Sequence, residues 1–254
     1  MVRLGQNFLS DPNLLDAIVR DAELGEGEVV LEVGAGEGVL SERLADVASH
    51  LHSVELDRRL EPALEPLAAR KNVSLHWGDA MKLDLAAFEP APTAVVSNLP
   101  YSVATPLILR TIEQLPAVGR WTVMVQREIA ERLRAAPGSR TYGSPSVIAQ
   151  LACEVRLIRK VDPAVFKPRP RVDSAILGLR RTGPGADPST HELVRAAFSH
   201  RRKSLARSLE HVRPGSLGPA RAALEELGLA ADARAESLSP DDFAALSAKL
   251  RAGA

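Results

Sequence analysis

The chain of 254 residues is long enough for one full core and a smaller appendage, and its 45% hydrophobic and 25% charged residues are ordinary for a globular protein. Its one cysteine, Cys153, lies in the apolar run "VIAQLACEV", which excludes an internal disulfide and predicts a buried, inert thiol in a reducing, cytoplasmic setting. The formal charge of zero hides a division: residues 1–100 hold 8 Lys and Arg against 17 Asp and Glu, and residues 101–254 hold 24 against 15. Clustered cations release counterions from phosphates, so the second part would attract a polyanion; a dipolar surface without a partner is the plainer alternative. No stretch approaches the roughly 20 apolar residues that span a bilayer, and "VRLGQNFLSD" lacks the apolar run of a leader. The expectation is a protein that is neither secreted nor membrane-bound.

In chain order, "SDPNLLDAIVRDAEL" reads as a helix with Ser10 or Asp11 as N-cap and Pro12 at its first position. From residue 29, short apolar strands alternate with helical patterns: "VVLEV", a helix from about Val39, "LHSVEL", a helix near residues 58–69, "VSLHWGD", then "AVVSNL". This alternation predicts a doubly wound α/β domain around a parallel sheet covered on both faces. "WTVMVQ", "SVIAQLACEVRLIRKV" and "RVDSAILGLR" continue it to about residue 181. Two glycines and two prolines in "TGPGADPST" then mark a linker, and beyond it only helical patterns follow, the last with Ser239 as N-cap and Pro240 after it.

"VVLEVGAGEGVL" is a strand, a glycine-rich turn and a helix start. Gly34, Gly36 and Gly38 let the backbone turn tightly and a ligand approach it, and the helix start offers N–H groups to an anion. A dinucleotide fingerprint requires G-x-G-x-x-G, but the sixth position here is Val39, and Glu37 would set a carboxylate against a pyrophosphate. The pattern suits a ligand with an adenosine end and no phosphates, such as S-adenosylmethionine. Glu55, closing the next strand, stands where an acid accepts ribose hydroxyls, and Asp79, closing the one after, can accept from the adenine amine. Leu56 and Ala80 adjoin them in the candidate cofactor site. Glu32 either orients the glycine loop or meets the ligand's amino group.

The fourth strand ends in "SNLPYS", which places one of only two tyrosines directly after Asn, Leu and Pro. An exocyclic amine on a nucleobase is a poor nucleophile because its lone pair is delocalised into the ring. Two acceptors aimed at its N–H groups, the Asn98 side-chain oxygen and the Leu99 carbonyl, would favour a more tetrahedral nitrogen. Pro100 stiffens the turn, and Tyr101 offers a face to a flipped-out base, a contact worth roughly 1–3 kcal/mol. No metal is required.

Through "LGQNFLSD", "EVGAGEG", "VELD", "GDAMKLD", "SNLPYSVATPLI", "VQREIAERL", "FKPRPRVDSA" and "FSHRRKSL", the chain resembles the ribosomal-RNA adenine N6-dimethyltransferases, closest to the KsgA (RsmA) branch. The resemblance implies a Rossmann-like S-adenosylmethionine-dependent methyltransferase domain over residues 1–181 and a small all-helical RNA-binding domain over 182–254. It implies dimethylation of two adjacent adenosines near the 3′ end of 16S rRNA in an immature small subunit, by a cytoplasmic monomer. It joins Gln6, Asn7 and Leu9 to Gly34, Glu55, Asp79 and Asn98 in the cofactor site, and it makes Phe166 a second aromatic wall against the target base; the bland reading of Phe166 is an ordinary core residue.

Three basic clusters are candidates for phosphates: Arg127, Arg132 and Arg134; Lys167, Arg169 and Arg171; and Arg201, Arg202, Lys203 and Arg207. Lys203 and Arg207 are expected one turn apart on a helix, where a bound phosphate would relieve their repulsion. "RTYGSPS" reads as a flexible loop able to order over the substrate. Rival readings are a large-subunit methylase of the macrolide-resistance type, a DNA adenine methylase, and an RNA-binding assembly factor without turnover.

Overall fold

The computed structural model describes residues 8–252. Strand β1 (Phe8–Leu9) precedes helix α1 (Pro12–Asp21), whose N-cap is Asp11. The Asp11 carboxylate accepts the N–H groups of Asn13 at 2.8 Å and Leu14 at 3.3 Å, and Pro12 follows where the missing N–H costs nothing. Next come β2 (Val29–Val33), α2 (Val39–Val47), β3 (His50–Glu55), a 3₁₀ turn at Arg58–Leu60 that leads into α3 (Glu61–Ala68), and β4 (Val73–Trp77). Then follow β5 (Ala94–Asn98), α4 (Ala104–Gln114), β6 (Arg120–Gln126), α5 (Arg127–Leu133), α6 (Ser144–Ala152), β7 (Cys153–Val161), β8 (Phe166–Lys167) and β9 (Ser174–Arg181). The chain ends in α7 (Pro188–Phe198), α8 (Leu205–Val212), α9 (Leu217–Glu226) and α10 (Pro240–Ala252).

Seven strands form one sheet in the order β4-β3-β2-β5-β6-β9-β7. From β4 to β6 the pairing is parallel, as the alternation of strands and helices predicts, but β9 runs antiparallel to β6 with Trp121 opposite Leu179. The sheet is therefore mixed rather than wholly parallel. No α-helix separates β7 from β9, so the chain has no crossover helix with which to lay β9 parallel to its neighbours. Strand β2 is buried along its whole length, consistent with its unbroken apolar character apart from Glu32, and it lies centrally in a core that includes Leu44, Leu51, Leu64 and Val96.

The chain divides into two compact units. One comprises the described residues up to Ala130 together with Val155–Arg181; the other comprises Glu131–Glu154 with the residues from Thr182 onward. A division falls at 181/182 as the linker composition suggests, but residues 131–154 group with the C-terminal helices. In that second unit α10 packs on α6, α7 and α9. Its centre holds Tyr142 and Phe243, with Phe198 between them at ring distances of 6.1 and 5.8 Å. Tyr142 is fully buried and donates its hydroxyl to the Leu238 carbonyl at 2.9 Å, and Ser146 donates to the Arg132 carbonyl at 2.6 Å. "RTYGSPS" is thus an anchored core segment, which corrects the expectation of a flexible loop. Ser239 caps α10 in a reciprocal pair with Asp242, as read from the sequence.

Candidate active site

The sheet opens where β2 and β5 part. They pair at Val30 with Ala94 and Leu31 with Val95, but beyond that point the Val33 N–H turns to the Ser97 hydroxyl at 2.9 Å instead of a ladder carbonyl. On the other side β2 stays paired with β3 as far as Val33 and Val54. Strand order reverses here, and crevices at the carboxyl ends of strands at such a switch point are where ligands bind in open α/β sheets. A cavity of about 390 Å³ occupies this place, lined by the glycine turn and the ends of β3, β4 and β5.

The glycine turn keeps the cavity open. Gly34 has φ +86°, and a Cβ there would lie 3.3 Å from the Pro100 ring. Gly38, at φ +83°, is the N-cap of α2. The turn's own N–H groups are engaged within the protein: those of Gly34 and Ala35 reach the Val54 carbonyl, and that of Gly36 reaches Glu55. The loop therefore does not present these three amides to an anion, which agrees with a ligand lacking phosphates.

Glu55 is buried, and three amides hold its carboxylate: Gly36 at 2.8 Å on one oxygen, and Leu56 at 2.9 Å and Asp57 at 2.8 Å on the other. It anchors the loop, and the oxygen carrying only the Gly36 bond keeps acceptor capacity for a further donor. Asp79 accepts the Met81 N–H at 2.9 Å, with Lys82 3.8 Å from its other oxygen. Glu32 accepts from Ser41 at 2.5 Å and Ser53 at 2.8 Å. Burial pushes its carboxyl up to about 7 despite these two hydroxyls, and nearby Glu55 adds to the rise. Among the described residues, the lining holds four acidic side chains, Glu32, Glu37, Glu55 and Asp79, and no basic one. That set suits a ligand with cationic centres, such as the sulfonium and amino groups of S-adenosylmethionine, and opposes a pyrophosphate. Leu9, Leu56 and Ala80 also line the cavity, whereas Gln6 and Asn7 lie outside the described residues.

At the end of β5, Leu99 donates its N–H to the Met124 carbonyl at 3.0 Å and buries its side chain, which fixes the backbone carrying Asn98. Among the described residues the Asn98 carboxamide makes no hydrogen bond. Asn98, Pro100 and Tyr101 all line the cavity; the Leu99 side chain does not. The Tyr101 hydroxyl lies 2.6 Å from the Ser174 hydroxyl, and burial pushes the phenol above its ordinary range while this bond pulls it down.

Phe166 is not in the cavity. It is 2% exposed, pairs with Leu9 across β1 and β8, and belongs to the main core, so in this conformation neither ring face is open to a base. The reading of Phe166 as a second aromatic wall is corrected accordingly: its apolar ring is more fully buried against Leu9 than it would be beside a solvated base.

Nor are the basic clusters equally available. Arg127 belongs to the first unit, while Arg132 and Arg134 belong to the second. The Arg127 backbone N–H reaches the Asp173 carbonyl at 3.0 Å, and its guanidinium lies 3.7 Å from the Asp173 carboxylate. Lys167, Arg169 and Arg171 are exposed, with Arg169 3.7 Å from Asp162. Arg201, Arg202 and Lys203 precede α8, whose N-cap is Ser204, so Lys203 and Arg207 do not share a helical face as expected. Residues 199–203 form turns and a bend, and only Ser204 is extended before the helix starts. Arg201 donates to the carbonyls of Arg140 at 3.1 Å and Tyr142 at 3.0 Å and lies 3.5 Å from Glu236, leaving Arg202 beside it exposed. Arg140 and Arg234 line the same hollow as Arg201 and Arg202.

Sequence reasoning missed the residues that hold these groups. Ser41 and Ser53 bracket Glu32, Ser97 replaces a ladder partner of β2, and Ser174 meets Tyr101. Arg110 of α4 donates to the carbonyls of Ala80 and Leu83, the latter at 2.7 Å, bracing the loop after Asp79. Small hydroxyls inside apolar strands are the only hint of such roles, and their partners lie too far along the chain to be inferred.

A family model for ribosomal RNA adenine dimethylase matches residues 2–251. A protein of Rubrobacter xylanophilus named Ribosomal RNA small subunit methyltransferase A is 45% identical over 96% of this chain and 92% of its own, and one of the same name from Deinococcus radiodurans is 42% identical over 97% and 84%. Among solved structures, a dimethyladenosine transferase from Plasmodium falciparum matches with a TM-score of 0.81 at 26% identity, over 94% of this chain and 95% of that one. The 23S rRNA methyltransferase ErmE matches with a TM-score of 0.70 at 29% identity, over 96% and 100%. With a mixed sheet that opens at its switch point, an acidic cavity and near end-to-end similarity, the chain belongs to the ribosomal RNA adenine dimethylase family.

Proposed function

We propose that this protein is an S-adenosylmethionine-dependent methyltransferase that dimethylates N6 of two adjacent adenosines near the 3′ end of 16S rRNA, acting as a cytoplasmic monomer on an immature small subunit. The observation that carries this reading is the Asn98 carboxamide beside Tyr101, which bonds to no other described residue, on the wall of a cavity whose described lining holds four acidic side chains and no basic one. The similarity to proteins named for the small subunit, at 45% and 42% identity, supports that target over the large subunit.

Glu55 and Asp79 would hold the adenosine end of S-adenosylmethionine, with Leu56 and Ala80 against its adenine, and Glu32 would favour the cationic amino acid end. When bound, this cofactor supplies an electrophilic methyl group on a cationic sulfur. The chain's own contribution is orientation. The Asn98 oxygen and the Leu99 carbonyl accept the two N–H bonds of the target amine and free its lone pair from conjugation, while Tyr101 stacks on the ring. The rigid Pro100 turn keeps these groups in register. No strong base is required, since the methylated amine is acidic enough to release its proton to water. Exposed cations, with Arg202 and the 167–171 loop foremost, meet phosphates.

The test is mass spectrometry of rRNA from unmodified small subunits and, in parallel, from large subunits, each incubated with methyl-labelled cofactor. Two methyl groups on each of two adjacent adenosines near the 3′ end are expected. Label confined to large-subunit rRNA, or no label, would overturn the proposal.

A further inference from the structure

Tyr101 is tied to a strand that is not its own. Its turn follows β5, and the ladder runs from β5 through β6 to β9, so the 2.6 Å contact between the Tyr101 and Ser174 hydroxyls crosses the end of β6. Ser174 is fully buried as the first residue of β9, in register with Gln126 of β6. The preceding residue is fixed as well, since the Asp173 carbonyl accepts the Arg127 N–H at 3.0 Å. The tether therefore ends on rigid backbone, not on a mobile side chain.

We infer that Ser174 is a positioning residue, whose buried hydroxyl holds the Tyr101 ring at the angle at which it receives the target base. This rests on the reading of Tyr101 as the stacking platform. A tyrosine has two rotatable side-chain bonds, and a ring free to swing between cavity and solvent would order only when the base arrives, at an entropic cost charged to binding or to turnover. Anchoring the hydroxyl orders the ring beforehand. Serine suits the position because its hydroxyl both donates and accepts, and so matches a phenol in either sense. Burial, which keeps the phenol protonated, preserves that match. The tether also joins the base platform to the strand that starts where the basic 167–171 loop ends, so RNA held by that loop and a base held by Tyr101 share one rigid reference.

Five variants test the inference on small subunits that lack the modification, with turnover, subunit KM, cofactor affinity and melting temperature measured for each. Tyr101→Phe removes one oxygen and leaves the stacking area intact. It is expected to lower kcat by about three- to tenfold, the size of one lost hydrogen bond, with cofactor affinity unchanged. Ser174→Ala should match it, and the double variant should be no worse than either single one, because both remove the same contact. Ser174→Thr, which retains the hydroxyl, should recover most of the rate. With 2-aminopurine at the target position, base fluorescence should be less quenched by Tyr101→Phe than by the natural protein. Wild-type turnover by Tyr101→Phe, alongside a loss in Tyr101→Ala, would overturn the positioning role while leaving the stacking platform in place. Wild-type turnover by Tyr101→Ala would overturn the platform itself, and the inference with it. A lowered melting temperature in Ser174→Ala with Tyr101→Phe fully active would assign Ser174 a structural role only, and so would also overturn the inference.

Discussion

The cavity of the first unit and the arginine-rich hollow of the second hold their charges by different means. Around the cavity, the two acids at the ends of β3 and β4 are each fixed in part by their own turn: Glu55 by the amides of Leu56 and Asp57 alongside that of Gly36, and Asp79 by that of Met81. In the hollow, Arg201 is committed to carbonyls 61 and 59 residues away. A strand-end acid is placed by its own turn, so its position follows from local sequence. An arginine is free or engaged according to distant neighbours, so counting cations overstates what is available to a partner.

The largest effect should come from breaking the local arrangement. Glu55→Ala would release three loop amides and remove a ribose acceptor together, and we expect cofactor affinity measured by calorimetry to fall about a hundredfold. An affinity within threefold of the natural protein would show that the loop holds its shape without Glu55. Next come the two adjacent arginines. Arg202→Glu should weaken subunit binding about tenfold and reduce the slope of log affinity against log salt by about one to two, and Arg201→Glu, whose guanidinium is already engaged within the protein, should do so less. Only Arg201→Glu should also lower the melting temperature, because only Arg201 ties the second unit together. An unchanged salt slope in Arg202→Glu would remove it from the interface, and equal melting temperatures would erase the distinction.

The same contrast explains how much was legible in the sequence. The strands from Val29 to Asn98, the glycine turn, the acids at the strand ends and the Asp11 and Ser239 caps were all readable, because each depends on a few neighbouring residues. The antiparallel β9, the grouping of residues 131–154 with the C-terminal helices, the anchoring of Tyr142 and the burial of Phe166 were not. Each depends on packing between segments far apart in sequence. Phe166 shows the limit most plainly: basic neighbours suggested an exposed ring, but apolar contact with Leu9 and the core decides its place.

Two smaller effects follow from buried titrating groups, with opposite signs. The Glu32 carboxyl, held near 7, keeps a proton that the unfolded chain loses near 4.5, so its contribution to stability fades as pH rises from 4.5 through 7. Affinity for a cationic cofactor should therefore rise a few-fold between about pH 6 and 8 as Glu32 ionises, and Glu32→Gln should flatten that rise. A rise that persists in the variant would place the titrating group elsewhere. On strands β3 and β4, His52 donates from Nε2 to the Pro90 carbonyl at 2.8 Å and meets His76 Nε2 through Nδ1 at 3.0 Å, an arrangement that forbids both rings from being protonated at once. His76 stacks on Phe88 at 3.9 Å, and His50 lies 4.7 Å from His52. Burial depresses both titrations; His50 deepens the depression, and Glu89 opposes it at His52. Their contribution is full above 6.5 and is lost as pH falls through the lowered folded values, a loss that urea denaturation across this pH range would show. His52→Gln with His76→Gln should remove that acid-side loss; an unaltered pH profile would assign it to other groups.

The central claim is that the Asn98 carboxamide, which lines the cavity and bonds to no other described residue, orients the target amine rather than the cofactor. Single-turnover methyl transfer to unmodified small subunits by Asn98→Ala, with cofactor affinity measured on the same preparation, tests it most directly. Transfer slowed by about a hundredfold or more, with cofactor affinity within about tenfold, is the predicted result. Transfer at the natural rate would contradict it.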